Sequence, residues 1–360
     1  MKNNRIIALY LPQFHPIPEN DKWWGKGFTE WTNVGKAKSL FRGHYQPRVP
    51  ADLGYYDLRC PESREAQAEI ARKYGIEGFC YWHYWFGNGK RLLERPFNEV
   101  LESGKPNFPF CLAWANESWR GFWHGVNGRE VLIEQQYPSE QDFIDHFYAV
   151  LPAFKDTRYI KVDAKPLFMI YRPLELPHAE KFVQLWRDLA LKNGLKGIHF
   201  VGHLYPDCEH TVEMVLSLGF DAVNVVRMGA YSNYKTRLDR VIGKIRRKIT
   251  NSPIIEDYNK VSKYFINEHD VNEQVYPTII PNWDHTPRTG RKGLVFHNST
   301  PLSFKAHLLD AKEILDKKEN KICFLKSWNE WAEGNYVEPD LKYGYQYLEA
   351  IKDVLGNNDE

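Results

Sequence analysis

Long apolar runs are missing from this 360-residue chain. No stretch approaches the roughly 18 consecutive apolar residues that a membrane-crossing helix needs. The opening Met1-Lys2-Asn3-Asn4-Arg5 runs straight into a strand-like segment, with no apolar leader and no small-residue cleavage site. A cytoplasmic location is the expectation. Charge of one sign is scarce too: 48 Lys and Arg against 46 Asp and Glu leave +2. That balance gives no overall electrostatic case for nucleic acid or a membrane as partner, so any basic surface must be local. Cys60, Cys80, Cys111, Cys208 and Cys323 are odd in number and sit mostly in apolar runs, as reduced buried thiols do. None is spaced for zinc. His-x-His and His-Glu-x-x-His are absent, as are the Gly-x-Gly-x-x-Gly of a dinucleotide loop and the Gly-x-Ser-x-Gly of a serine hydrolase. Neither a metal nor a cofactor is expected.

What is present is rhythm. Strand patterns at 5–14, 76–86, 108–114, 166–171, 197–203, 221–227, 275–281 and 321–325 are interleaved with helical patterns at 61–74, 91–103, 139–155, 178–193, 210–218, 302–318 and 343–355. Gly75, Gly104, Gly194 and Gly219 stop four of those helices. Sustained β-then-α alternation implies a parallel sheet with right-handed crossovers, and eight units imply closure. The expectation is an α/β fold, a single (β/α)8 TIM barrel with long βα loops, occupying 1–360 as one catalytic domain. The open doubly wound sheet would carry the missing glycine loop. No repeat, low-complexity segment or linker divides the chain.

In such a barrel the site is built at the carboxyl ends of the strands. There the sequence gathers Tyr10 and Gln13, then Glu30 and Trp31 in a long loop; Tyr81, Trp82, His83 and Trp85; Trp114, Asn116 and Glu117; Tyr171; His203 and Tyr205; Trp283 and Asp284; and finally Trp328, Asn329, Glu330, Trp331 and Glu333. Each is a candidate sugar contact with a plainer alternative. Trp82 and Trp85 could pack barrel against helix, His83 could be a hydrogen-bonded structural histidine, and Glu30 and Glu117 could be solvated.

The segment Leu325-Lys326-Ser327-Trp328-Asn329-Glu330-Trp331-Ala332-Glu333-Gly334 carries the most chemistry. Cleaving a glycosidic bond takes one carboxyl to protonate the departing oxygen and another to assist near the anomeric carbon. Two carboxylates at i and i+3 can point the same way, with β-carbons about 5–6 Å apart. They titrate jointly, one proton being held to higher pH.

The blocks Ala8-Leu9-Tyr10-Leu11-Pro12-Gln13-Phe14-His15, Gly27-Phe28-Thr29-Glu30-Trp31-Thr32-Asn33-Val34, Gly78 to Phe86, Trp114-Ala115-Asn116-Glu117 and Ser327 to Gly334 resemble the WbsX family. That family, labelled as glycosyltransferases of bacterial polysaccharide loci, is similar to glycoside hydrolase family 99, barrel-fold endo-acting α-mannosidases and mannanases. The resemblance implies that Glu333 is the general acid and that Glu330 is the base drawing the proton from the sugar 2-hydroxyl, giving an anhydro-sugar and net retention. Ala332 stands where that family usually has histidine.

Three functions follow: a retaining glycoside hydrolase acting on an α-linked, mannose-type glycan, a glycosyltransferase or transglycosylase of O-antigen or capsule assembly, and a non-catalytic carbohydrate-binding module. Arg120, Arg172 and Arg288 could serve the anionic donor that the second needs. The partner is an oligo- or polysaccharide, lipid-linked if segment 235–248 rests on a membrane. That segment interleaves Lys235, Arg237, Arg240, Lys244, Arg246, Arg247 and Lys248 with Leu238, Val241, Ile242 and Ile245; a solvated helix beside the barrel is its plainer reading.

Overall fold

The computed structural model describes residues 3–121, 130–205 and 210–356. Eight strands, β1 Arg5–Tyr10, β2 Gly78–Trp85, β3 Phe110–Trp114, β4 Lys165–Ile170, β5 His199–Leu204, β6 Ala222–Val225, β7 Val275–Ile279 and β8 Ile322–Leu325, pair in parallel in chain order. β1 then pairs with both neighbours, Ile7 to Tyr10 against Gly78 to Tyr81 of β2 and Arg5 to Ala8 against Ile322 to Leu325 of β8. The cylinder is closed, a (β/α)8 barrel. Its strands are near-continuous apolar runs because both faces are covered, by the barrel interior on one side and helices on the other.

Among the described residues the helices of eight residues or more are α1 Pro61–Lys73, α2 Arg95–Ser103, α3 Glu140–Lys155, α4 Ala179–Lys192, α5 His210–Ser217, α6 Arg237–Thr250, α7 Pro301–Leu315 and α8 Gln346–Leu355. Proline opens α1 and α7 at a position whose N–H would lack a partner anyway. Ser139 caps α3 by accepting from the Asp142 N–H at 3.3 Å. Trp186 of α4 lies between Phe168 of β4 and Phe182, at ring distances of 4.8 and 4.7 Å.

Three details differ from the periodicity. Segment 91–103 is not one helix: Arg91–Leu92 pairs antiparallel with the end of β2, and α2 starts only at Arg95, where Pro96 fits the first turn. Between β6 and β7 the chain leaves the barrel to form α6 and the strand Ile254–Asp257, which pairs in parallel with Leu294–His297 from the segment after β7. The barrel wall there is sealed by short turns carrying Tyr258, Val261 and Phe265. Cys60, the residue before α1, is exposed rather than buried, unlike Cys80, Cys111 and Cys323; Cys208 lies outside the described residues. Among the described residues no helix is long and apolar enough to cross a membrane.

Candidate active site

After β8 the chain makes a tight hairpin, Asn329–Glu330 against Asn335–Tyr336, with a 3-10 turn Trp331–Glu333 at its tip. That turn, rather than an α-helix, sets the spacing of Glu330 and Glu333. Gly334 closes it at φ +55°, and a Cβ there would lie 2.6 Å from Cβ of Asp284 and 3.0 Å from its backbone nitrogen. Only glycine fits the close approach. The Asp284 N–H in turn donates to the Glu333 carbonyl at 2.6 Å. Asp284 accepts from Gln46 Nε2 at 2.7 Å and from the Thr286 hydroxyl at 2.6 Å, and its carboxylate lies 2.8 Å from His44 Nε2. Burial would push this carboxyl up, but the His44 bond and the Arg48 charge outweigh it and hold it at about 2. Asp284 is an anchor behind the site.

Glu330 and Glu333 both face a cavity of about 510 Å³ at the mouth of the barrel, a size that suits a few sugar rings. Arg288, in the short helix Thr286–Thr289 after β7, ties three carboxyl groups together. Its Nη1 lies 2.5 Å from Glu333, and its Nη2 lies 3.2 Å from Glu330 and 3.2 Å from Glu30. Glu30 is brought in by the loop after β1, in the first turn of a helix capped by Thr29. Lys326, at the end of β8, adds an ammonium over the faces of Tyr205 and Trp283 at 5.9 and 5.6 Å. Across the cavity Glu117 meets Arg172 at 3.3 Å.

These surroundings divide the protons. Burial, helped by the Glu333 charge, raises Glu330 to about 8 despite Arg288. Burial works on Glu333 as well, but Arg288 and Lys326 outweigh it and its carboxyl stays below the usual range. The geometry agrees, because Glu333 has the shorter contact to Arg288 and the more solvated side chain. Burial thus favours the neutral form of Glu330, and the Arg288 contact favours the charged form of Glu333. This is the reverse of the roles the family resemblance implies. Burial also lifts Glu117 to about 7 against the pull of Arg172, and lifts Glu30 against Arg288.

Of the residues singled out from the sequence, Gln13, Glu30, Trp82, Glu117, Tyr171, Tyr205, Trp283, Glu330 and Glu333 line this one cavity. The others stand behind its wall. Tyr10 donates to Gln67 Oε1 at 2.7 Å and packs on Tyr81. Trp31 donates to the Tyr56 carbonyl at 2.8 Å. His83 and His146 share one hydrogen bond of 2.8 Å between their Nε2 atoms, and burial pushes both well below the usual histidine range. Trp85 stacks on His146 at 4.7 Å, and Trp114 donates to the Trp85 carbonyl at 2.9 Å. Asn116 ties its loop to the Arg172 backbone. Burial drops His203 to about 3, and it bonds Asn224 at 2.7 Å beneath Tyr171. Asn329 clasps the end of β1 through the Leu11 N–H and carbonyl. Trp328 is buried against Phe79 at 5.1 Å, and Trp331 lies flat on Tyr336 at 3.7 Å while donating to Glu338.

The cavity also holds Trp24, Tyr84, Trp119, His285 and Lys326, outside that set, and Arg288, which the sequence offered only for an anionic donor. Tyr84 was legible, because in a strand it shares the face of Trp82. Arg288 follows no spacing rule and is joined to the pair only by folding. Among the described residues no group of three or more His, Cys, Asp and Glu side chains converges as a metal site.

The model of one protein family, described as Glycosyltransferase WbsX, matches residues 6–351. The chain belongs to the WbsX glycosyltransferase family. Among its relatives, the uncharacterized protein WxcX of Xanthomonas campestris pv. campestris, in two strains, is 37 % identical over 363 residues covering 97 % of this chain. The chain spans about half (49 %) of the length of those relatives. In fold, this WbsX member is similar to a glycoside hydrolase-like protein, with TM-score 0.61, 15 % identity, and 99 % and 95 % of the two chains covered. It is also similar to the GH99 endo-alpha-mannosidase of Bacteroides thetaiotaomicron, with TM-score 0.57, 14 % identity, and 98 % and 96 % covered.

Proposed function

We propose that this WbsX barrel is a retaining glycoside hydrolase acting on an α-linked, mannose-type glycan. The observation that carries the reading is the pair Glu330 and Glu333 on one guanidinium, inside a cavity walled by Trp24, Trp82, Trp119 and Trp283. Flat aromatic faces hold sugar rings, and a split pair supplies an acid and a base together. Glu330 gives its proton to the departing glycosidic oxygen. Glu333 takes the proton of the sugar 2-hydroxyl, whose oxygen closes on the anomeric carbon. Water then opens the anhydro ring as the protons return, and configuration is retained. Glu30 and Glu117 accept from ring hydroxyls.

Aryl α-mannosides with poor and with activated leaving groups test this. Glu330→Gln is expected to lose roughly 10²–10⁴-fold on the poor leaving group while largely sparing the activated one, and Glu333→Gln to lose on both. The opposite split would restore the roles implied by the family resemblance. Full activity in both variants would remove the pair from the chemistry.

Glycosyl transfer is a second reading, favoured by the family description and by Arg120, Arg172, Arg288 and Lys326 lining one cavity. Such a cationic set suits an anionic donor. Nucleoside diphosphate release from a sugar nucleotide, with extension of an acceptor followed by mass, would establish transfer instead.

A further inference from the structure

Helix α6 is amphipathic, yet its apolar side is turned to solvent. Leu238, Val241, Ile242, Ile245 and Ile249 recur at i, i+3, i+4, i+7 and i+11 and so form one stripe. They are between 51 and 78 % exposed. The helix is securely made: Thr236 accepts from the Asp239 N–H at 3.1 Å, and Asp239 accepts in return from the Thr236 N–H at 3.0 Å. Its approach to the body is mainly polar, through Asp239, Arg240, Gly243, Lys244 and Arg247 across a shallow groove from Glu256 and Asp257. A soluble domain normally does the opposite and hides the stripe.

The charge on the helix narrows what can cover that stripe. Asp239 is its one acid, and it serves as the cap. Among the described residues, none of Arg237, Lys244, Arg247 and Lys248 pairs with a carboxylate, whereas Lys235, just before the helix, does pair with Glu256. Free cations beside an exposed stripe of Leu, Val and Ile fit a surface that is apolar below and anionic above. A second copy of α6 would bring like charges together. Tyr231, in the turn that leads into α6, lines both the cavity and the groove beneath the helix. Whatever the helix docks on therefore lies close to the cavity mouth.

We propose that α6 is a membrane-docking element that seats the barrel on a bilayer surface rich in anionic lipid, with its aliphatic stripe in the headgroup layer and its cations over the lipid phosphates. The proposal does not depend on the reaction the cavity performs.

Vesicle flotation of the whole protein tests it, with phosphatidylcholine alone and with about a third of phosphatidylglycerol added. The wild type is expected to float with the anionic vesicles, to remain soluble with the neutral ones, and to be released by salt. The triple variant Leu238→Ser, Ile242→Ser, Ile245→Ser is expected to lose binding at least about tenfold, as is Arg237→Glu combined with Lys248→Glu. Both sets lie on the exposed helix, and an unchanged thermal midpoint verifies that the barrel persists. A wild type that stays soluble with both vesicles overturns the proposal. So does flotation that survives in the triple variant. A dimer in sedimentation velocity that is lost in the triple variant, without flotation, would assign the stripe to a second copy instead.

Discussion

A single guanidinium sets the chemistry of the cavity. Arg288 meets Glu30, Glu330 and Glu333 at 3.2, 3.2 and 2.5 Å, and its side chain is 12 % exposed. Replacing it by methionine leaves three crowded carboxyls without their cation, a loss on the order of 3 kcal/mol. Protonation relieves that crowding, so the deficit in urea unfolding is expected to shrink markedly from pH 7.5 to pH 5. Glu330, raised to about 8, predicts the basic limb of the activity profile near that pH, because the acid loses its proton there. Its effect on stability has the same sign. Protons bind the folded state more tightly, so the contribution is full below the ordinary carboxyl range and is lost as pH rises toward 8. Lys326 pulls Glu330 down, so Lys326→Met is expected to move the limb upward. A limb that stays put in this variant would separate Lys326 from the pair. The two glutamates were legible in the sequence because they are neighbours in it; the tie of Arg288 to them was not, since it lies more than forty residues away and follows no motif.

At the scale of the element, β2 shows both how far sequence patterns reach and where they stop. The block Tyr81 to Phe86 was plainly aromatic, but only alternation decides which rings meet a ligand. Trp82 and Tyr84 face the cavity, while Tyr81, His83 and Trp85 turn to the helices. Tyr84→Ala is therefore expected to weaken saccharide binding with a modest change in unfolding free energy. Trp85→Ala should leave binding near wild type and cost about 3–5 kcal/mol, because it empties the space between β2 and α3. Isothermal titration and urea denaturation on the two variants read these effects separately. The strand-end rule alone overreaches, since half of the residues just past a strand point outward. The hairpin after β8 has the same lesson: Glu330 and Glu333 enter the cavity, whereas Trp331 between them packs on Tyr336.

At the scale of the whole molecule, the eight-unit rhythm was legible because parallel strands buried on both faces are apolar throughout and the glycine stops are sharp. The excursion between β6 and β7 was less so. Its strand Ile254–Asp257 is short and pairs with Leu294–His297 from beyond β7, and pairing between segments so far apart in sequence leaves little local trace. Because β1 is hydrogen-bonded to both β2 and β8, the cylinder has no open edge from which to unravel. One cooperative unfolding transition is expected, with tryptophan fluorescence and far-ultraviolet dichroism coinciding. Two separated midpoints would divide the chain into independent units.

The contact between β1 and β8 has a further consequence for biosynthesis. Glu30 reaches the reaction centre from just beyond the first strand, while Arg288, Glu330 and Glu333 arrive from the last two. A ribosome must therefore release nearly all of the barrel before the centre can exist. Products stopped before Glu333, however well they collapse, are expected to be inert toward glycans, so that any glycan cleavage reports that synthesis has passed that residue.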